Sequence, residues 1–145
     1  MYYIVRTGKN VDDAGRDLEA AVRKHSFGVL HVFDLKDTLT KKGYPLGPQC
    51  KIFEICNPEQ ATRVLQRDMR LNMALPCRVS VFEDNGATKI GMILPAEMLR
   101  ALSHDRELGE IAETIEATIK AIIDEAAAPV DPRSARGSAP ENTRL

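Results

Sequence analysis

The chain of 145 residues carries 20 lysines and arginines against 21 aspartates and glutamates, a formal net charge of −1. Because this balance creates no strongly basic surface, it argues against binding of nucleic acid or of an anionic membrane through charge. With 43% hydrophobic and 28% charged residues, the composition is that of a globular protein whose length suits one domain.

The sequence also predicts a cellular compartment. The first ten residues, MYYIVRTGKN, lack the basic and apolar segments of a signal peptide. No apolar run reaches the length of about 20 residues that a membrane-spanning helix needs, and three cysteines are an odd number for a disulfide framework. We therefore expect a cytoplasmic protein with reduced thiols, no membrane partner and no nucleic-acid partner.

The first half of the chain alternates strands with helices. Residues 1–7 are rich in tyrosine, isoleucine and valine and predict a first strand. Asn10 offers an N-cap to an amphipathic helix over residues 11–25, and the β-branched stretch 27–35 predicts a second strand. A short helix and a glycine- and proline-rich loop then lead to a third strand, residues 51–55.

The second half begins with a helix and a hairpin. Asn57 with Gln60 three residues later matches a capping box, so a short helix should begin at Pro58. Residues 77–83 and 88–94 alternate apolar and polar side chains around Asp-Asn-Gly-Ala, which is a strong hairpin signal. Two adjacent antiparallel strands are therefore expected.

A long helix with an isoleucine face follows a short helix over residues 95–102. Leu108 and five isoleucines recur on one side of a helix from about residue 106 to 127. At 1.5 Å per residue such a helix spans about 30 Å, more than a small sheet needs for cover, so its far end is predicted to meet a partner. Residues 128–145 are rich in proline, serine and charge and predict a disordered tail after a single domain over residues 1–127.

This order of elements predicts an α+β fold: a two-layer sandwich with helices on one face of a largely antiparallel sheet of about five strands. The strands carry more apolar residues than one covered face would use, namely Ile4, Val29, Phe33, Phe53, Ile55, Phe82 and Ile90. The second face is therefore expected to meet a ligand or another subunit, and a homodimer is the simplest cover.

Three segments, FGVLHVFDLKDTL, KIFEICNP and LPCRVSVFED, resemble in this order the family known as domain of unknown function 302. The resemblance covers about residues 1–102 and includes Cys56 and Cys77, the cysteines of the second and third segments. It implies a fold in the TATA-binding-protein-like two-layer group and a tendency to dimerise, and it brings no settled activity. Cys50 stands where such proteins more often have an aromatic residue, and the long helix lies beyond the resemblance.

Cys56 has two interpretations. It immediately precedes the Asn57-Pro58 helix start, where unpaired backbone N–H groups would stabilise a thiolate and lower the thiol pKa. Alternatively, it packs as a small apolar residue against Ala61, since buried cysteines are usually structural.

Cys77 begins its strand and alternates with Val79 and Val81, so its side chain is predicted to face the core. If the third and fourth strands are antiparallel neighbours, Cys56 and Cys77 fall in the same corner of the sheet. Cys56, however, alternates with Glu54 rather than with the more apolar positions of its strand. Whether the two thiols share a face is therefore left open.

The sequence contains few indications of a metal site. No CxxC, HxxxH or CxxCH spacing occurs, so no metal site is predicted. His31 on the second strand is the histidine best placed to act as a ligand beside a cysteine.

Three functions follow from these observations. We favour a homodimeric domain that binds or senses a small molecule or a sulfur species in an apolar pocket near Phe53, Cys56, Met73 and Cys77. One alternative is a thiol-based redox enzyme or sulfur carrier with Cys56 as nucleophile and Cys77 as resolving thiol. The other is haem or metal binding through a cysteine or His31. The sequence identifies no cofactor.

Overall fold

The computed structural model describes residues 1–130. In chain order the elements are β1 (Tyr2–Thr7), α1 (Val11–Lys24), β2 (Gly28–Asp34), α2 (Leu35–Lys41), β3 (Cys50–Cys56), α3 (Pro58–Arg67), a 3₁₀ helix (Met69–Ala74), β4 (Cys77–Asp84), β5 (Ala87–Ile93), α4 (Pro95–Leu102) and α5 (Arg106–Ala127). The α+β fold predicted from the sequence is confirmed. Residues 131–145 of the predicted tail lie outside the described residues.

The five strands form one antiparallel sheet in the order β1-β5-β4-β3-β2. Strands β1 and β2 are therefore the two edges, although they follow each other along the chain. Helix α1 connects them by crossing one face of the sheet, and α5 packs beside α1 on that face. The result is a two-layer sandwich with a helix face and an opposite, open face.

Two helix starts follow the capping signals in the sequence. The side chain of Asn10 accepts a hydrogen bond from the backbone N–H of Asp13 at 2.7 Å, and that of Asn57 accepts one from Gln60 at 3.0 Å. These bonds satisfy N–H groups that have no partner within the first turn of a helix. The capping box at Asn57 is only half formed, because the side chain of Gln60 accepts a hydrogen bond from Arg63 instead.

The predicted hairpin is present and tighter than the sequence suggested. Strands β4 and β5 extend to Asp84 and Ala87, which pair directly and leave a two-residue turn. Asn85 and Gly86 both have positive φ, 51° and 81°, the backbone conformation that joins twisted strands in a type I′ turn. The turn fixes the register of β4 against β5.

The core lies between the helix face of the sheet and the two long helices. Helices α1 and α5 contribute their apolar stripes, and Gly15 on α1 leaves room for a ring, since a Cβ there would stand 3.1 Å from Phe53 Cζ. Side chains with no exposure in this core include Leu18, Val22, Ile55, Val79, Val81, Ile90, Ile119, Ile122 and Ile123.

The far end of α5 packs against the end of β1 and the loop after it. Thr7 donates a hydrogen bond to the carbonyl of Ala127 at 3.0 Å, and Lys9 Nζ donates one to the carbonyl of Ala126 at 2.8 Å. Lys9 also forms an ion pair with Asp17 at 2.6 Å. The end of β1 and the loop after it thus satisfy the last carbonyls of α5, which accounts for the length of the helix.

Candidate functional site

The open face of the sheet carries the candidate site. In the strand register Ile4 pairs with Gly91, Gly91 with Ser80, and Ser80 with Ile52. Because directly paired residues project to the same side, these four form a row across β1, β5, β4 and β3. Residues next to them in sequence, such as Val79 and Ile90, face the helices instead.

A cavity of about 540 Å³ opens at this face. Its floor is the sheet, and its walls are the segment from the 3₁₀ helix into β4 and the start of α4. Most of the surrounding side chains are apolar. The lining residues are Tyr2, Ile4, Glu54, Met73, Ala74, Leu75, Pro76, Cys77, Arg78, Ser80, Phe82, Gly91, Met92, Ile93, Pro95 and Met98.

Gly91 marks a close approach of two strands at the cavity floor. A Cβ at this position would lie 2.9 Å from Ile4 Cγ1 and 3.0 Å from the carbonyl oxygen of Tyr3. Any larger residue would have to displace Ile4, so glycine allows β1 to lie against β5 here. The half-exposed side chain of Ile4 then forms part of the cavity wall.

Two opposite charges stand at the cavity. Glu54 on β3 and Arg78 on β4 are register partners on the open face. Arg78 is exposed, and within residues 1–130 its guanidinium forms neither an ion pair nor a hydrogen bond. Met73 is 82% exposed at the same opening. Among the described residues, Arg78 is the one cation in the mostly apolar cavity lining.

The two thiols of the predicted corner lie on opposite faces. Cys77 pairs with Ile55 and so shares its helix face, whereas Cys56 is the next residue along β3. They are nevertheless neighbours: burial raises the pKa of Cys77 to about 11, and the charge of Cys56 adds to the shift. Burial also raises the pKa of Cys56. Both thiols are free and are held in the protonated form at neutral pH.

The start of α3 does not activate Cys56. The N–H of Gln60, in the first turn of the helix, is donated to Asn57 Oδ1. Burial dominates the pKa of Cys56, which is raised rather than lowered. The position before a helix is therefore not enough to make this thiol a thiolate.

The family with the description Domain of unknown function DUF302 matches residues 3–126. The chain belongs to this family. A related crystal structure, of an uncharacterized conserved DUF302 protein from Bacillus stearothermophilus, is 35% identical, with a TM-score of 0.81 over 86% of this chain and 97% of that chain. None of the curated proteins matches. The match includes α5, which the resemblance over residues 1–102 had left outside.

The DUF302 chain brings some of the predicted pocket residues together and separates others. Met73 and Cys77 line the cavity. Phe53 is 2% exposed and packs in the core on the helix face, and Cys56 is not part of the cavity lining. Arg78 and Gly91 do line it, and the sequence prediction did not include them. The strand alternation that places Val79 in the core also predicts that Arg78 points to the opposite, open face, but it does not predict a cavity there.

His31 of the DUF302 chain lies on the edge strand β2, away from the cavity. Its ring packs edge-on against Phe33, with 4.2 Å between the ring centroids, and both side chains are exposed. Residues 1–130 contain no group of three or more histidine, cysteine, aspartate or glutamate side chains placed to hold a metal ion. None of the helices in this range is long and apolar enough to cross a membrane.

Proposed function

We propose that this DUF302 protein is a small cytoplasmic homodimer that binds or senses a small, largely apolar molecule in the cavity on the open sheet face. The observation that carries the proposal is the cavity itself. Its volume of about 540 Å³ falls in the range of pockets that enclose small ligands, which are mostly apolar with a few polar groups. The three free cysteines fit a reducing compartment.

Binding is favoured over covalent chemistry because of the state of the thiols. The thiolate is the nucleophilic form of cysteine, and burial raises the pKa of both Cys56 and Cys77. Cys77 is therefore neutral at neutral pH, and the cavity that it borders has a mostly apolar wall. Such a wall suits contact with an apolar or sulfur-containing ligand.

Strand β2 is the proposed dimer surface. It pairs only with β3 among the described strands, so its other edge is free. Leu30 sits at a break in the register and is 61% exposed, and Val32 and Phe33 are 38% and 40% exposed. An apolar strand with a free edge is a template for pairing with a second strand. Two copies of β2 related by a two-fold axis would cover these side chains and leave the cavity accessible.

A neutral fluorescent dye tests the cavity. Nile red should become strongly fluorescent with the wild-type protein because it enters an apolar site. Ser80→Phe should abolish this signal, since Ser80 is half-buried on the cavity floor and a ring would fill the space. Thr114→Phe is the matched control, because Thr114 is exposed on α5, outside the cavity.

The proposal is contradicted if the wild-type protein gives no enhancement. It is equally contradicted if Ser80→Phe binds the dye as well as Thr114→Phe does, provided that circular dichroism shows both variants folded.

A thiol-based redox enzyme or sulfur carrier is the second candidate. The observation in its favour is the strand register, in which Cys77 pairs with Ile55, the residue before Cys56, so that the two thiols lie close together in the sheet although on its opposite faces. A nucleophile and a resolving thiol would need this proximity. The rate at which the two thiols are alkylated separates this candidate from simple binding.

A further inference from the structure

Arg78 is the one cation among the described residues that line the cavity. Two lysines on the strands beside β4 have partners: Lys89 on β5 forms an ion pair with Asp84 at 2.8 Å, and Lys51 on β3 forms one with Asp12 at 2.9 Å. Arg78 forms none within residues 1–130. An arginine at the edge of an apolar cavity has five N–H donors available for a ligand.

The charge of Arg78 affects another titratable group on the open face of the sheet. The pKa of Cys50, on β3, is raised by burial and by Asp34, and Arg78 acts in the opposite direction. By strand register, Arg78 and Cys50 lie on the same, open face of the sheet. Glu54 is the register partner of Arg78 there, but no ion pair forms between them in the described residues.

We propose that the ligand of the cavity is an amphipathic monocarboxylate, with its apolar body among the cavity walls and its carboxylate at the Arg78 guanidinium. This inference rests on the proposed function, since it names the ligand class of the same cavity. The planar guanidinium fork matches a carboxylate with two parallel hydrogen bonds, which gives both strength and orientation. The apolar body follows from the residues behind Arg78, which include Ile4, Met98 and Phe82.

Glu54 limits the affinity of this site for an anion. Its carboxylate stands directly opposite Arg78, so it repels a bound carboxylate while it partly offsets the charge of the arginine. Removing that charge should therefore strengthen the binding of an anionic ligand and leave a neutral ligand unaffected. Removing the charge of Arg78 and removing that of Glu54 should thus change the affinity for an anionic ligand in opposite directions. A purely structural role of the two residues would not produce this difference.

Displacement of Nile red by octanoate and by 1-octanol tests the inference. With the wild-type protein, octanoate should displace the dye at a concentration roughly tenfold lower than octanol. The reason is that only the carboxylate of octanoate can form charge-assisted hydrogen bonds with the Arg78 guanidinium. Arg78→Gln should remove this difference, Arg78→Lys should keep part of it, and Glu54→Gln should increase it. Arg6→Gln is the matched control: Arg6 is also exposed on a strand but does not line the cavity, so octanoate should displace the dye as from wild type.

The outcomes separate this inference from the proposed function. Suppose that Nile red binds to the wild type and not to Ser80→Phe, but that octanoate and octanol compete equally or that Arg78→Gln has no effect. The cavity is then supported as a binding site, and the proposed carboxylate ligand is wrong. If Nile red does not bind to the wild type, both the cavity as a binding site and the ligand class are overturned. An equal loss of octanoate binding in Arg6→Gln would show general charge attraction and would also overturn the role of Arg78.

Discussion

Iodoacetamide should alkylate Cys77 in the native protein about a hundredfold more slowly at neutral pH than in the unfolded chain. The reason is the pKa of the thiol, which burial raises from its ordinary value of 9.0 to about 11, with a smaller contribution from Cys56. Each unit of pKa lowers the thiolate population tenfold at a fixed pH well below the pKa. Cys56 should also react more slowly than in the unfolded chain, because burial raises its pKa as well.

Peptide mass spectrometry after timed alkylation measures both rates, with the protein unfolded in denaturant as the control. The native rate at Cys77 should keep rising with pH up to about 11, beyond the point where the rate in denaturant has levelled off. A Cys56 or Cys77 that labels faster in the native protein than in denaturant would contradict this expectation. It would favour the thiol-based enzyme or carrier over a binding domain.

Replacing both Leu30 and Val32 by lysine should convert the protein from a dimer into a monomer. Both side chains are exposed on the free edge strand β2, so the substitutions should leave the monomer fold intact. Lysine on an edge strand opposes pairing because its charge cannot be buried in a strand-to-strand contact. Light scattering should give about 32 kDa for the wild type, twice the 16.1 kDa of the chain, and about 16 kDa for the double variant.

Leu102→Lys is the control for added charge, since Leu102 is 53% exposed on α4, outside β2. It should remain a dimer. A wild-type protein that scatters as a monomer at all working concentrations would contradict the proposed dimer. A double variant that stays dimeric would move the interface away from β2.

Local signals in the sequence predicted most of the fold. The capping asparagines Asn10 and Asn57 begin helices, and the two residues Asn85 and Gly86 form the hairpin turn. These features depend on residues within a few positions of each other, so they can be read from short stretches of sequence. The period-two alternation of β4 also placed Val79 in the core and Cys77 on the same face.

Features that depend on distant parts of the chain could not be predicted in the same way. The end of α5 is covered because Thr7 and Lys9, more than 100 residues earlier, hydrogen-bond its last carbonyls. The cavity depends on the neighbours of β4: once β5 and β1 follow it in the sheet, Ser80, Gly91 and Ile4 form one floor. Sequence reasoning centred the pocket on the thiols because strand order was unknown.

Two opposing effects act on the pKa of Cys56. Its position before α3 suggested a lowered pKa through the helix dipole, which is one interpretation of the sequence. In the folded chain Asn57 takes the N–H of Gln60, and burial sets the direction of the shift. The spacing of residues in the sequence indicates the helix-dipole effect but not how deeply the thiol is buried. Burial determines the direction of the pKa shift here.

The cavity on the open sheet face should bind a small apolar ligand. Titration of isotope-labelled protein with 1-octanol, followed by amide chemical shifts in nuclear magnetic resonance spectra, tests it most directly. The shifts should change at Ala74, Ser80 and Gly91, which line the cavity, and should stay constant along α1 and the outer side of α5. Changes that are confined to β2, or that leave these three amides unaffected at saturating octanol, would contradict the claim.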